Sequence, residues 1–132
     1  MKIDNDIKLD FSDVLFRPKR STLSSRSEVS LLRTFNFKYS KQSWTGIPII
    51  SSNMDTISSI DMFKALSRHK CLTCFHKYID IMEVVTAVKD GFDSNYFILS
   101  TGISDKDFDV LNTNVSVLKA QNINLKFICI DV

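Results

Sequence analysis

The side chains best equipped for chemistry fall into three groups. Arg17, Lys19, Arg20 and Arg26 make the densest cluster of cations in the chain. Guanidinium forks match phosphate oxygens, so anion recognition competes here with the plainer reading of a solvated loop. The spacing follows neither a helical stripe nor a nucleic-acid-binding motif, and on composition alone the solvated loop is favoured. Cys71-x-x-Cys74, flanked by His69 and His76, superficially resembles a zinc or redox site. The two cysteines bracket a short apolar run, however, and a separation of three along a strand sends them to opposite faces. They are expected to be buried small side chains. The third group consists of polar residues that directly follow apolar runs. These are Ser51, Ser52 and Asn53, then His76 and Lys77, then Ser100 and Thr101, and finally Asp131. Lys77 and Asp131 stand out, since each carries a charge within two residues of such a run.

The elements that must position these groups recur at regular intervals. Ile47, Ile49 and Ile50 form a β-branched run, with Pro48 near its start, where a strand tolerates a missing donor. Further strands are predicted over Leu72 to Phe75, Tyr96 to Leu99 and Leu125 to Ile130. Between them lie three helices. The first runs from about Ser58 to His69, capped by Ser58 or Ser59, with Met62, Phe63 and Leu66 on one face. The second opens at Asp80-x-x-Glu83, carries Ile81, Val84, Val85 and Val88, and ends near Gly91. The third opens at Ser104-x-x-Asp107 and carries Phe108, Leu111, Val115 and Leu118.

Nearly continuous apolar strands alternating with helices give an α/β class with a parallel sheet. No strand runs into a Gly-rich phosphate loop, which weakens a doubly wound, dinucleotide-binding reading. Polar groups at every strand end favour a barrel, whose catalytic rim lies at the carboxyl ends of its strands. Polar strand ends also arise simply because chains leave for solvent there. The expected architecture is the first half, about four strands, of a (β/α)8 barrel within one domain spanning residues 1–132. Residues 1–45 form an extended preamble with short strands over Ser27–Leu32 and Thr34–Phe37, and residues 46–132 carry four strands and three helices. A whole barrel needs about 250 residues, so the chain reads as truncated.

Composition adds limits. A chain of 132 residues suffices for one compact domain, and 44% hydrophobic with 24% charged residues is ordinary. The net charge of +2 does not point to nucleic acid or a membrane surface. The apolar runs fall far short of the roughly 20 residues of a membrane span. Three cysteines without a secretory signal predict a reducing, cytoplasmic setting.

Several segments, taken in order, resemble one family. Leu9-Asp10-Phe11-Ser12-Asp13-Val14-Leu15 resembles the opening shared by IMP dehydrogenases and GMP reductases. Arg17-Pro18-Lys19-Arg20-Ser21-Thr22-Leu23, running into Ser25-Arg26-Ser27-Glu28-Val29, is similar to the reductase branch. Gly46-Ile47-Pro48-Ile49-Ile50-Ser51-Ser52-Asn53-Met54-Asp55-Thr56 is similar to the first barrel strand and loop of both. His76-Lys77 and Ile128-Cys129-Ile130-Asp131-Val132 resemble the ends of the second and fourth strands. There are departures: Tyr78 stands where many reductases have a second His, and Ser52 replaces an Ala in favour of the dehydrogenase pattern.

The resemblance implies a (β/α)8 barrel, usually a homotetramer, that converts GMP to IMP and ammonia with NADPH as hydride donor. The attacking cysteine, and the Thr and Glu that manage protons, are expected outside this chain, as is any bound potassium ion. Carried over residue by residue, Ser25, Arg26, Lys77, Asp131 and Val132 are cofactor contacts, Ser25 and Arg26 reaching the NADPH of a neighbouring subunit. Lys77 is also a possible auxiliary to catalysis, since an ammonium beside the nicotinamide could steady its amide or assist proton movement. Ser52 and Met54 approach the nucleotide base. Two alternatives remain open: an IMP dehydrogenase of the same fold, and a non-catalytic relative serving as a binding module.

Overall fold

The computed structural model describes residues 6–132. Its chain divides into two compact units, one reaching to Ser30 and the other Leu31–Val132.

Two short 3-10 turns punctuate the first unit. Asp10 caps Phe11–Asp13 in a reciprocal box, and the Asp10 N–H donates to the Asp13 carboxylate at 2.9 Å. Ser25 caps Arg26–Glu28, its Oγ accepting from the Ser27 N–H at 3.3 Å. The strand expected over Ser27–Leu32 therefore does not form. Ser25 offers the backbone a local partner, and the Glu28 N–H closes the turn on the Ser25 carbonyl at 3.1 Å.

The second unit begins with an antiparallel hairpin of β1 (Arg33–Asn36) and β2 (Ser43–Gly46). β1 matches the strand expected over Thr34–Phe37, whereas β2 was not expected. Trp44, 4% exposed, anchors it. Its ring stacks on Phe35 and meets Tyr96 and Phe127 edge-on, and its Nε1–H donates to the Asn95 carbonyl at 2.9 Å. The Tyr96 hydroxyl donates to the Thr45 carbonyl at 3.2 Å, so the hairpin is tied to the amino-terminal end of the third parallel strand.

Four parallel strands follow: β3 (Ile50–Ser51), β4 (Leu72–Phe75), β5 (Phe97–Thr101) and β6 (Ile128–Ile130). They alternate with α1 (Ile60–Arg68), α2 (Ile81–Lys89) and α3 (Asp105–Ala120). Spatial order equals sequence order, β3-β4-β5-β6. In a doubly wound sheet the order reverses at a switch point and helices cover both faces. Here α1 packs on α2 and α2 on α3, so the helices share one face. This is half of a (β/α)8 barrel.

That face holds the core. Phe63 of α1 meets Phe75 and Phe97 at ring-centroid distances of 5.6 and 5.8 Å, and all three rings are fully buried. Each such burial contributes about 1.5–3 kcal/mol before the aromatic pairing is counted. Because side chains alternate along a strand, Cys74, Ile98 and Ser100 line the opposite, inner face. Cys71 and Cys74 are both buried, as expected of small apolar side chains.

The helix caps follow the sequence signals. Ser59, rather than Ser58, caps α1; Asp80 caps α2; Ser104 and Asp107 form a reciprocal box at α3. All three helices close with a residue at positive φ: Lys70 at 58°, Gly91 at 98° and Asn122 at 58°. In each, the next N–H reaches back to a carbonyl in the last turn, as Cys71 N–H does to the Leu66 carbonyl at 3.0 Å.

Candidate functional site

Parallel strands deliver their carboxyl ends to one edge, and the polar residues that follow the apolar runs collect there. After β3 come Ser52, Asn53, Met54 and Asp55; after β4, His76, Lys77 and Tyr78; after β5, Gly102 and Ser104; after β6, Asp131 and Val132. The loop after β3 is pinned internally. Buried Ser58 donates its hydroxyl to the Ser52 carbonyl, and its Oγ lies 2.9 Å from that of Ser51.

Asn53 and Asp131 close the arc. The Asn53 Nδ2 donates to Asp131 Oδ2 at 3.0 Å, although they follow the first and last of four parallel strands. On a flat sheet those strands would lie about 14 Å apart, three spacings of about 4.8 Å. A direct hydrogen bond between the two tips therefore depends on the sheet curling towards its inner face. A cavity of about 160 Å³ lies at this point, lined by Asn53, Asp55, His76, Lys77, Tyr78 and Asp131. His76 is among the lining residues, and its buried Nδ1 has no hydrogen-bond partner.

Lys77 borders a second cavity of about 440 Å³, which extends along α3 past Ser100, Thr101 and Asp107. Its ammonium donates to Asp107 Oδ1 at 3.2 Å and lies 5.4 Å from the centre of the Tyr78 ring. The hydrogen bond and charge of Asp107 raise the Lys77 pKa above the ordinary lysine value. Asp107 is held below the usual carboxylate range, first by the Ser104 hydroxyl and then by Lys77. Lys77 is thus a protonated cation at neutral pH.

Cys74 lacks the environment of a nucleophile. Burial pushes the Cys74 thiol up to about 11, with Cys129 and Asp131 raising it further against the lowering effect of Ser100. A thiol at that value is almost entirely protonated near neutrality and reacts poorly.

Of the residues singled out from sequence, the second unit brings Lys77 and Asp131 to one cavity. Ser52 and Met54 sit on the same rim, Met54 at 54% exposure, and Val132 is open to solvent. Ser25 and Arg26 belong to the first unit, where Ser25 is the cap of a turn and both are exposed. Asp107 escaped the sequence reading because Ser104-x-x-Asp107 explains itself as a helix cap. Nothing in the spacing says that its other oxygen meets Lys77, 30 residues away.

Residues 8–95 match the model of the IMP dehydrogenase / GMP reductase domain. The chain belongs to that family. Curated relatives agree. A GMP reductase of Vibrio vulnificus is 45% identical over 134 residues, covering 100% of this chain and 37% of that protein. A GMP reductase of Salmonella paratyphi C is 48% identical over 136 residues, covering 100% of this chain and 38% of its own. One of Caenorhabditis elegans is 45% identical, covering 99% and 36%. The chain thus spans little more than a third of the length of these relatives. Among solved structures, the inosine 5′-monophosphate dehydrogenase of Legionella pneumophila superposes with a TM-score of 0.61 at 24% identity. It covers 92% of this chain and 34% of that one, and the likeness establishes the shared fold. No helix among the described residues is long and apolar enough to cross a membrane.

Proposed function

We propose that this chain is the cofactor-contacting part of an NADPH-dependent GMP reductase, which converts GMP to IMP and ammonia. The observation that carries the reading is Lys77, a cation held at the strand-end rim between two cavities, in a chain 45–48% identical to GMP reductases. Its ammonium suits the polar amide or phosphates of a dinucleotide, and the Asn53 amide adds hydrogen-bonding capacity beside it. Asp131 and Val132 continue that edge. Ser25 and Arg26 reach the NADPH of a neighbouring subunit, Arg26 through its phosphates. Ser52 and Met54 approach the purine, where the thioether gives polarizable contact to the ring.

NADPH, when bound, supplies the hydride that takes the place of the exocyclic amine. The chain's own residues hold and orient it. None of Cys71, Cys74 and Cys129 serves as the nucleophile, since all three lie within or directly beside strands and Cys74 is held protonated. The nucleophile belongs to the remaining part of the barrel, and the complete protein is expected to be a cytoplasmic homotetramer.

The test is steady-state turnover of the natural-length protein. GMP-dependent oxidation of NADPH, with one ammonia released per NADPH consumed, is expected. Reduction of NAD with IMP, and no oxidation of NADPH with GMP, would make the protein a dehydrogenase instead.

A further inference from the structure

The Lys77 ammonium has more than one anion to choose from. Asp55 and Asp131 line the smaller cavity on one side, and Asp107 lines the larger on the other. Lys77 and Tyr78 are the residues common to both. A lysine has four rotatable bonds, so its position at such a boundary has to be imposed from outside.

The surroundings of Asp107 impose it. The Asp107 Oδ2 accepts from the Ser104 hydroxyl at 2.6 Å and from the Ser104 N–H at 3.3 Å, which leaves Oδ1 for Lys77. The Asp107 N–H donates to Ser104 Oγ at 3.2 Å, so the carboxylate is held at the start of a helix 16 residues long. Gly102 leaves room for it: a Cβ there would stand 2.8 Å from Asp107 Cγ. The Lys77 and Asp107 side chains are 38% and 23% exposed, so the pair is partly shielded from water.

Resting on the cofactor role of Lys77 proposed above, we infer that Asp107 is a positioning residue. Clamped by Ser104 and accommodated by Gly102, it fixes the Lys77 ammonium on the α3 side of the rim, where the dinucleotide meets it. Asp107 itself need not touch the cofactor.

Kinetics of the natural-length protein test this. Asp107→Asn keeps an acceptor for the Ser104 N–H and so preserves the cap, but it removes the charge that holds Lys77. It is expected to raise the KM for NADPH about fivefold, the scale of a partly exposed ion pair. The KM for GMP and the thermal midpoint should stay near wild type. Gly102→Ala, which displaces the carboxylate without altering its charge, should move the NADPH KM in the same direction, and Asp107→Glu should recover part of the loss. Lys77→Ala should raise the NADPH KM, and adding Asp107→Asn to it should change nothing further. An additive double variant, or a normal NADPH KM in Asp107→Asn while Lys77→Ala raises it, would overturn the inference alone. A normal NADPH KM in Lys77→Ala would remove the cofactor reading together with it.

Discussion

Arg26 and Lys77 illustrate two ways in which a cation becomes a candidate. Arg26 is exposed and follows the Ser25 cap of a 3-10 turn, with neighbours Arg17, Lys19 and Arg20 that carry no comparable support. Composition alone leaves the whole group as solvated charge, and the resemblance of Ser25-Arg26 to the reductase pattern is what singles out Arg26. Lys77 has a local environment of its own: an acidic partner, an aromatic ring and two cavities. A sequence displays the first kind of evidence and hides the second, because Asp107 is 30 positions away. The proposed role of Arg26 gives a separable prediction. Arg26→Ala should raise the KM for NADPH about tenfold or more, as expected for the loss of a charge-assisted phosphate contact. The KM for GMP should change little. Initial-rate measurements in both substrates check this, and equal effects on the two would contradict it.

At the scale of elements, what was legible was local. β4 occupies Leu72–Phe75 as expected, and the signals at Asp80 and Ser104 mark the caps of α2 and α3. Caps and apolar periodicity act within four residues, so a linear reading captures them. β2 was not legible, because Trp44 is stabilised by Asn95 and Tyr96, 51 or more positions onward. β6 came out shorter than expected, at Ile128–Ile130: Leu125 and Phe127 pack against the core with the charged Lys126 between them, and of this stretch the Phe127 carbonyl alone accepts from β5, from the Leu99 N–H at 3.4 Å. The helix ends hold an untested economy. Lys70 is exposed and sits at φ 58°, while the corresponding residue after α2 is Gly91. A side chain in that region costs about 1 kcal/mol that glycine avoids, offset in part by the entropy of the unfolded chain. Lys70→Gly should therefore raise the stability of the natural-length protein by about 0.5 kcal/mol. The urea midpoint checks it, and a midpoint below wild type would contradict it.

For the molecule as a whole, strand order carries the architecture. Four parallel strands in sequence order, with their helices on one face, can only curve in one direction, and the Asn53–Asp131 bond spans the resulting arc. Ile128 and Ile130 of β6 remain 51% and 60% exposed, as the last strand of an unclosed sheet should be. The rim is where the parallel topology gathers residues scattered over 80 positions of sequence, and that gathering is what turns polar strand ends into a candidate site. In the proposed reaction, hydride passes from NADPH to the purine of GMP. The most direct measurement uses NADPH deuterated at the transferable position of its nicotinamide, with GMP, and mass analysis of the purine product from the natural-length protein. Deuterium in IMP, at the carbon that lost its amine, is the predicted result. Unlabelled IMP, or NADPH oxidation that proceeds equally without GMP, would contradict it.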